Sequence, residues 1–191
     1  MPLSPPVPRE PRHTRAIEVQ AFARADGLWD LDARITDVKV RDVQLASGLR
    51  PGGTLLHDLS LRLTIDLHFT VVDAEACSDA VPYPGYCDVI GPAYKSLIGC
   101  NLMQGFRAAL KERLGGTLGC THLTELAQVL PTAAVQAFAN DVLKTRDGDT
   151  DDAQLTHKPF QIDRCHALAS TAPAVAKFYP RWSVKASNGS A

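Results

Sequence analysis

The sequence predicts an α+β fold in which an antiparallel sheet of about three strands is followed by helices packed on one of its faces. Apolar side chains occupy every odd position from Leu59 to Val71, and polar ones occupy the positions between them. Such alternation is typical of a strand with one buried and one wet face. Beyond residue 87 the apolar spacing becomes helical, and an order of strands followed by helices favours the α+β class.

Two further strands are predicted before this one, over residues 16–24 and 28–40. Asp26 and Gly27 lie between them, and this dipeptide is a strong signal for a tight hairpin. Three successive strands with a hairpin signal favour antiparallel pairing. His57 has the parity of the buried face and Asp58 that of the polar face, if the third strand extends back to them.

A loop is expected over residues 75–86, followed by three helices. The first is predicted over residues 88–98. The second covers 102–114, with Asn101 as its N-cap and the pair Gly115-Gly116 at its end. The third runs from Thr121 to about residue 143, and Pro131 is expected to kink it.

The domain organisation follows from composition. Residues 1–14 are rich in proline and are expected to form a flexible arm, residues 15–182 a single α+β domain, and residues 183–191 a disordered tail. The N-terminus lacks the apolar core of a signal peptide, so we expect a cytoplasmic protein. Lys plus Arg number 20 against 21 for Asp plus Glu. This balance, together with the lack of a long apolar run, predicts binding neither to nucleic acid nor to a membrane.

The segment Gly119-Cys120-Thr121-His122 carries the sharpest chemical signal. It places Cys120 at a predicted helix start, where free N–H groups and the helix dipole favour a thiolate. A thiolate attacks electrophiles and binds metals. His122 is close enough in sequence to act as a ligand or a base.

Two other pairs place a cysteine beside a metal-ligating side chain. These pairs are Cys87-Asp88 and Cys165-His166. Thiolate and imidazole ligands suit zinc or iron. The leading hypothesis is therefore a metal site in which Cys87, Cys120 and Cys165 converge and His122, His166 or Asp88 supplies the fourth ligand.

A second hypothesis is a small metal-free enzyme. In it Cys120 acts as nucleophile or acid, His122 or His57 as base, and Asp58 as the group that orients His57. A third hypothesis is an accessory subunit without a site. The sequence leaves open whether the partner is a small molecule or a protein, and it does not specify the oligomeric state.

Several short strings resemble an uncharacterised bacterial family, the domain of unknown function numbered 2889. The resemblance covers about residues 15–182 and implies one domain without naming a reaction. The strings that carry it are His57-Asp58 before the alternating strand, Cys87 with Pro92-Ala93-Tyr94, Gly105-Phe106, Gly119-Cys120-Thr121-His122-Leu123, and Cys165-His166-Ala167-Leu168 with Tyr179-Pro180-Arg181-Trp182.

At the level of the fold, the chain also resembles the U-type iron–sulfur scaffold proteins. Those proteins have three antiparallel strands followed by helices, and they carry three cysteines plus an Asp or His. Cys87, Cys120 and Cys165 fall in the same order here. The resemblance implies an iron site with Asp88, His122 or His166 as the remaining ligand.

Overall fold

A computed structural model describes residues 3–143 and 157–185 of the chain. The chain divides into two compact units, residues 1–137 and residues 138–191. Most of the predicted C-terminal tail, residues 186–191, lies outside the described residues.

A four-stranded antiparallel sheet forms the centre of the first unit, with the strand order β1-β2-β5-β6. Its strands are β1 (His13–Ala23), β2 (Trp29–Lys39), β5 (Leu55–Ile65) and β6 (Val71–Ala80), and a small hairpin of β3 (Val43–Leu45) and β4 (Gly48–Arg50) is inserted between β2 and β5. The antiparallel sheet is confirmed, but the predicted number of three strands is wrong.

The additional strand arises because the chain turns at residues 66–70 instead of running straight to Val71. The Asp66 carboxylate accepts hydrogen bonds of 2.8 Å from the backbone N–H groups of His68 and Thr70, and Phe69 has a φ of 65°. This turn contains no glycine or proline, so the apolar alternation continues through it. The strand β6 that follows occupies the first half of the segment where we expected a loop.

The hairpin between β1 and β2 is confirmed, with Gly27 at a φ of 83°. The expected buried face of the long strand is confirmed from Leu59 to Ile65, whereas Leu67, predicted to be buried, is 48% exposed in the turn that follows. Thr64, predicted to be wet, is instead buried, and its hydroxyl donates to Asp30 at 2.7 Å. The buried apolar side chains of the inner face are Leu31, Ala33, Ile35, Leu59, Leu61, Leu63 and Ile65.

Four helical segments follow the sheet over the described residues up to 143. They are a 3-10 helix (Gly91–Leu97), α1 (Phe106–Leu114), a 3-10 turn (Gly116–Leu118) and α2 (Thr121–Phe138). The helix α1 starts after Gly105, at a φ of 67°, and not after Asn101 as predicted. The Asn101 side chain instead donates to the carbonyl of His68 and accepts from the N–H of Met103.

The second unit contains α3 (Pro173–Phe178) and two 3-10 turns, His166–Leu168 and Pro180–Trp182. The Gln161 amide donates to the Tyr179 hydroxyl at 3.0 Å. Within the described parts of both units, no helix has the length and apolar character that a membrane span requires.

Candidate functional site

Strand register places three polar side chains in one row at the end of the inner face. Arg15 on β1 pairs directly with Asp37 on β2, and Asp37 pairs directly with His57 on β5. Directly opposed residues of an antiparallel sheet point to the same face. The register alone therefore brings a guanidinium, a carboxylate and an imidazole together.

Asp37 lies at the centre of this row and its side chain is only 2% exposed. Arg15 donates two hydrogen bonds to it, from Nε to Oδ1 at 2.9 Å and from Nη2 to Oδ2 at 2.8 Å. His13 lies on the same face, with Nε2 2.6 Å from Oδ1. Burial raises the pKa of Asp37, but the hydrogen bonds from Arg15 and His13 lower it further, to about 2. Asp37 is therefore a carboxylate throughout the physiological range.

His57 faces the other oxygen of this carboxylate. Its Nδ1 lies 3.0 Å from Oδ2 of Asp37, which is the distance of an ion pair when the ring is protonated, but the contact lacks the geometry of a hydrogen bond. Nδ1 is thus a buried nitrogen without a hydrogen-bond partner among the described residues. Such atoms are rare in folded proteins and call for an explanation. Burial and the neighbouring imidazole of His122 lower the pKa of His57, which favours the neutral ring.

His122 reaches the row from the first turn of α2. Its ring lies 3.9 Å from that of His57, measured between centroids, with a tilt of 33°. Its Nε2 is 3.6 Å from Oδ2 of Asp37, and its Nδ1 is 3.9 Å from Sγ of Cys120. One residue of α2 thus connects the carboxylate on the sheet with the thiol at the helix start.

The start of α2 is held in place by Tyr94 of the 3-10 helix, whose side chain is fully buried. The Tyr94 hydroxyl donates to the carbonyl of Cys120 at 2.9 Å and accepts from its N–H at 3.1 Å. Gly119 passes so close to the end of α1 that a Cβ there would lie 2.5 Å from the carbonyl oxygen of Leu114. The chain can therefore enter α2 at this point only through a glycine.

One turn further along α2, Glu125 ties the helix to the sheet. Its carboxylate lies 2.6 Å from Nη1 of Arg15, the same guanidinium that holds Asp37. This second anion balances the Arg15 charge. Arg15 on β1 thus links Asp37 on β2 with Glu125 on α2.

Asp37, His57 and His122 form a group that could hold a metal ion. One ligand atom from each lies within 4.8 Å of the other two. Over residues 3–143 and 157–185, this is the one group of three or more His, Cys, Asp or Glu side chains with such spacing, and it contains no cysteine. The coarse prediction of a group that could bind a metal is thus supported. The group contains the carboxylate of Asp37 where the sequence predicted cysteine thiolates.

The predicted ligands Cys87 and Asp88 lie at the loop that precedes the 3-10 helix. Cys87 is half-buried and lines the same pocket as Cys120, whereas Asp88 is exposed and accepts from the N–H of Gly85 at 3.1 Å. Cys165 and His166 are exposed residues of the second unit. Their role as ligands stays a prediction.

Asp58 lies on the outer face of the sheet and not beside the imidazoles. Its two carboxylate oxygens accept hydrogen bonds of 2.7 and 2.6 Å from Arg34. The carboxylate that approaches His57 is Asp37, a residue that sequence reasoning missed. The parity of β2 could have found it, because Asp37 shares the parity of Ile35 and Ala33 and is thus a charged residue on a buried face.

A pocket of about 380 Å³ opens beside the two histidines. His57, His122 and Cys120 form one side of it. Its remaining wall comes chiefly from Leu59, Val81, Tyr83, Tyr86 and Ile90. The site therefore combines a polar cluster with an adjoining space large enough for a small molecule.

Comparison with known families gives one match. The model of a family described as a protein of unknown function, DUF2889, matches residues 13–136. The chain belongs to this family. The DUF2889 match begins at His13 and ends within α2, so it contains the entire Asp37–His57–His122 group.

No curated protein matches the chain, and no solved structure does. The resemblance to U-type iron–sulfur scaffold proteins accordingly receives no support from these comparisons.

Proposed function

We propose that this DUF2889 domain binds a divalent zinc or iron ion through Asp37, His57 and His122. The observation that carries the proposal is the buried Nδ1 of His57, which faces the Asp37 carboxylate at 3.0 Å without a hydrogen bond. An ion bound between Nδ1 of His57, Nε2 of His122 and Oδ2 of Asp37 would give this nitrogen a partner, while Oδ2 keeps its hydrogen bond from Arg15.

The chemistry of the three ligands fits a transition metal. Two imidazoles with one carboxylate are the ligand set of several catalytic zinc sites and of the non-haem iron(II) oxygenases. Magnesium and calcium prefer oxygen ligands throughout. Three protein ligands leave coordination positions open, so the site suits catalysis better than a purely structural role.

The surrounding residues prepare this ligand set. Arg15 and His13 keep Asp37 ionised, and burial keeps His57 neutral, which are the protonation states that metal ligation requires. Hydrogen bonds to a ligating carboxylate also fix its orientation. Arg15 and His13 are therefore positioning residues in this proposal.

The test is a calorimetric titration of chelator-treated protein with Zn²⁺ and, under anaerobic conditions, with Fe²⁺. We expect one ion per chain for the wild type and a loss of affinity of more than about 100-fold in His57→Ala and His122→Ala, since the loss of outer-shell partners alone costs 10- to 100-fold. His68→Ala is the matched control, because His68 is an exposed histidine whose described hydrogen bonds involve only its backbone. Unchanged affinity in both site variants would contradict the proposal.

The same titration separates this ligand set from the thiolate set. Cys87→Ser and Cys165→Ser should bind the ion as the wild type does. A large loss of affinity in either variant would instead favour the cysteine ligands and remove the argument from His57.

A second candidate function is supported by the 3.9 Å contact between Sγ of Cys120 and Nδ1 of His122. In a metal-free enzyme, His122 would take the thiol proton and Asp37 would stabilise the imidazolium from the side of Nε2. With p-nitrophenyl acetate, Cys120 would attack the carbonyl carbon, expel p-nitrophenolate and become an acetyl thioester. Acetylation of Cys120 that is unaffected by a chelator and abolished in Cys120→Ser would favour this function over the metal site.

A further inference from the structure

The pocket beside the histidines is apolar over most of its wall. Leu59 and Val81 line it and are 1% and 5% exposed. Tyr83 and Tyr86 also line it and are 44% and 83% exposed. The wall thus combines buried aliphatic side chains with exposed aromatic rings.

The polar side chains that line the pocket are neutral or weakly ionising ones: His57, His122, Cys120, Cys87, Thr121 and the hydroxyls of Tyr83 and Tyr86. Among the described residues that line it, none is an Asp, Glu, Lys or Arg. The Asp37 carboxylate lies behind the two imidazoles, is 2% exposed and is already paired with Arg15. In the metal-free protein, a charged ligand would therefore lose its hydration without gaining a partner of opposite charge in the wall, which is strongly unfavourable. A cationic ligand would lack such a partner after metal loading as well.

The outer face of the sheet carries a second depression, and charged side chains line it. This depression has a volume of about 500 Å³, and its charged side chains include Asp32, Arg34, Arg62 and Glu75. These charges are largely paired with each other or with neighbours, as in the two hydrogen bonds of 2.6 Å between Arg62 and Asp32. The lack of charge is thus a property of the inner pocket and not of the molecule in general.

We propose that this pocket binds a neutral, largely apolar small molecule of about the size of a substituted benzene ring, with one polar group that reaches His57 and His122. The inference rests on the proposed metal site, because it assigns the substrate class of that centre. A volume of about 380 Å³ is at the small end of the range for ligand sites. The hydroxyl or carbonyl oxygen of such a molecule would occupy an open coordination position while its ring contacts Val81, Tyr83 and Ile90.

The test uses benzyl alcohol as the probe, with benzoate and benzylammonium as charged analogues of the same size. Binding is measured by chemical-shift changes in ¹H–¹⁵N spectra of the full chain, before and after loading with Zn²⁺. We expect benzyl alcohol to shift the amide signals of Val81, Gly119 and Thr121. In the metal-free protein both charged analogues should bind at least about tenfold more weakly, and benzylammonium should also do so after Zn²⁺ loading.

A variant pair localises the binding. Tyr83→Ala should lower the affinity for benzyl alcohol by about fivefold, because the substitution removes a large apolar part of the pocket wall. Phe22→Ala, on the outer face of β1, removes an aromatic ring of similar exposure and should have no effect. Equal binding of benzyl alcohol by the wild type and both variants would overturn the inference. So would binding of benzoate to the metal-free protein as tight as that of benzyl alcohol.

A paramagnetic ion in the metal site reports which part of the bound ligand lies nearest to that site. With Co²⁺ in the site, the CH₂ protons of bound benzyl alcohol should relax faster than its ring protons. The opposite order would overturn the proposed orientation of the ligand. If no ion binds but benzyl alcohol still shifts the amide signals of the pocket, the proposed metal site is wrong and the pocket for a neutral ligand is retained. If an ion binds but benzyl alcohol does not, the metal site is retained and the proposed pocket ligand is wrong.

Discussion

Asp37 and His57 lie directly opposite each other on β2 and β5, and Oδ2 of one is 3.0 Å from Nδ1 of the other. This pair is the centre of the site, because Arg15, His13 and His122 all approach the same carboxylate. A carboxylate with so many cationic or imidazole neighbours is held ionised, and its charge contributes to stability.

The first prediction concerns acid unfolding. The pKa of Asp37 falls from 3.8 to about 2 on folding, which corresponds to about 2 kcal/mol of stability. A group whose pKa is lower in the folded state contributes this stability above its unfolded pKa and loses it as the pH falls through the folded one. We therefore expect chelator-treated Asp37→Asn to be less stable than the wild type at pH 7, by a difference that shrinks between about pH 4 and pH 2.

Urea unfolding at a series of pH values measures this difference. A gap between wild type and Asp37→Asn that stays constant from pH 7 to pH 2 would show that Asp37 is not held ionised in the folded protein.

The second prediction concerns the inner face of the sheet. Ile65 is fully buried, so Ile65→Ala should lower the free energy of unfolding by about 2–5 kcal/mol. Leu67 belongs to the same alternating run but is 48% exposed in the turn after β5, and Leu67→Ala should change the stability by no more than about 0.5 kcal/mol. Equal effects of the two substitutions would mean that the strand continues past Ile65.

The sequence predicted the parts of the fold that depend on local patterns. The hairpin at Asp26-Gly27 and the helix that starts at Thr121 both have strong local signals, and both are present. The turn at 66–70 was missed because Asp66, and not a glycine or proline, stabilises it. The start of α1 was misplaced because Asn101 uses its side chain to bridge two loops.

The site was predicted only in part, because some of its residues are far apart in the sequence. Cys120, His57 and His122 were identified from their neighbours in sequence, and the structure brings all three to one pocket. Asp37 was missed because its partners Arg15, His57 and His122 are far from it in sequence and meet it through strand register and helix placement. Such contacts cannot be inferred from residue spacing alone.

The third prediction concerns thiol reactivity in the metal-free protein. Burial raises the pKa of Cys120, but the hydrogen bonds from His122 and from the N–H groups of Leu123 and His122 lower it overall. Burial and the nearby Asp79 raise the pKa of Cys77. Cys120 should therefore react with iodoacetamide at pH 7 faster than Cys77, although Cys77 is the more exposed thiol.

Mass spectrometry of partially alkylated protein gives the two rates. His122→Ala should slow the labelling of Cys120 and leave that of Cys77 unchanged. Faster labelling of Cys77 in the wild type would show that Cys120 is a packing residue.

The fourth prediction concerns the anchor of α2. Tyr94→Phe removes a buried hydroxyl that bonds to both the N–H and the carbonyl of Cys120, which should cost about 1–3 kcal/mol of stability. The same substitution should weaken metal binding, because α2 positions His122. Tyr86→Phe is the control, since Tyr86 is 83% exposed and should change neither property. Unaltered metal affinity in Tyr94→Phe would show that His122 does not depend on this anchor.

X-ray absorption spectroscopy of the zinc-loaded protein tests the central claim most directly. The ligand set of Asp37, His57 and His122 predicts a first shell of nitrogen and oxygen atoms at about 2.0–2.1 Å, with no sulfur. His57→Ala should remove the bound zinc, and His68→Ala should leave the spectrum unchanged. A shell dominated by sulfur at about 2.3 Å, retained in His57→Ala and lost in Cys87→Ser, would contradict the account and place the metal on the cysteines.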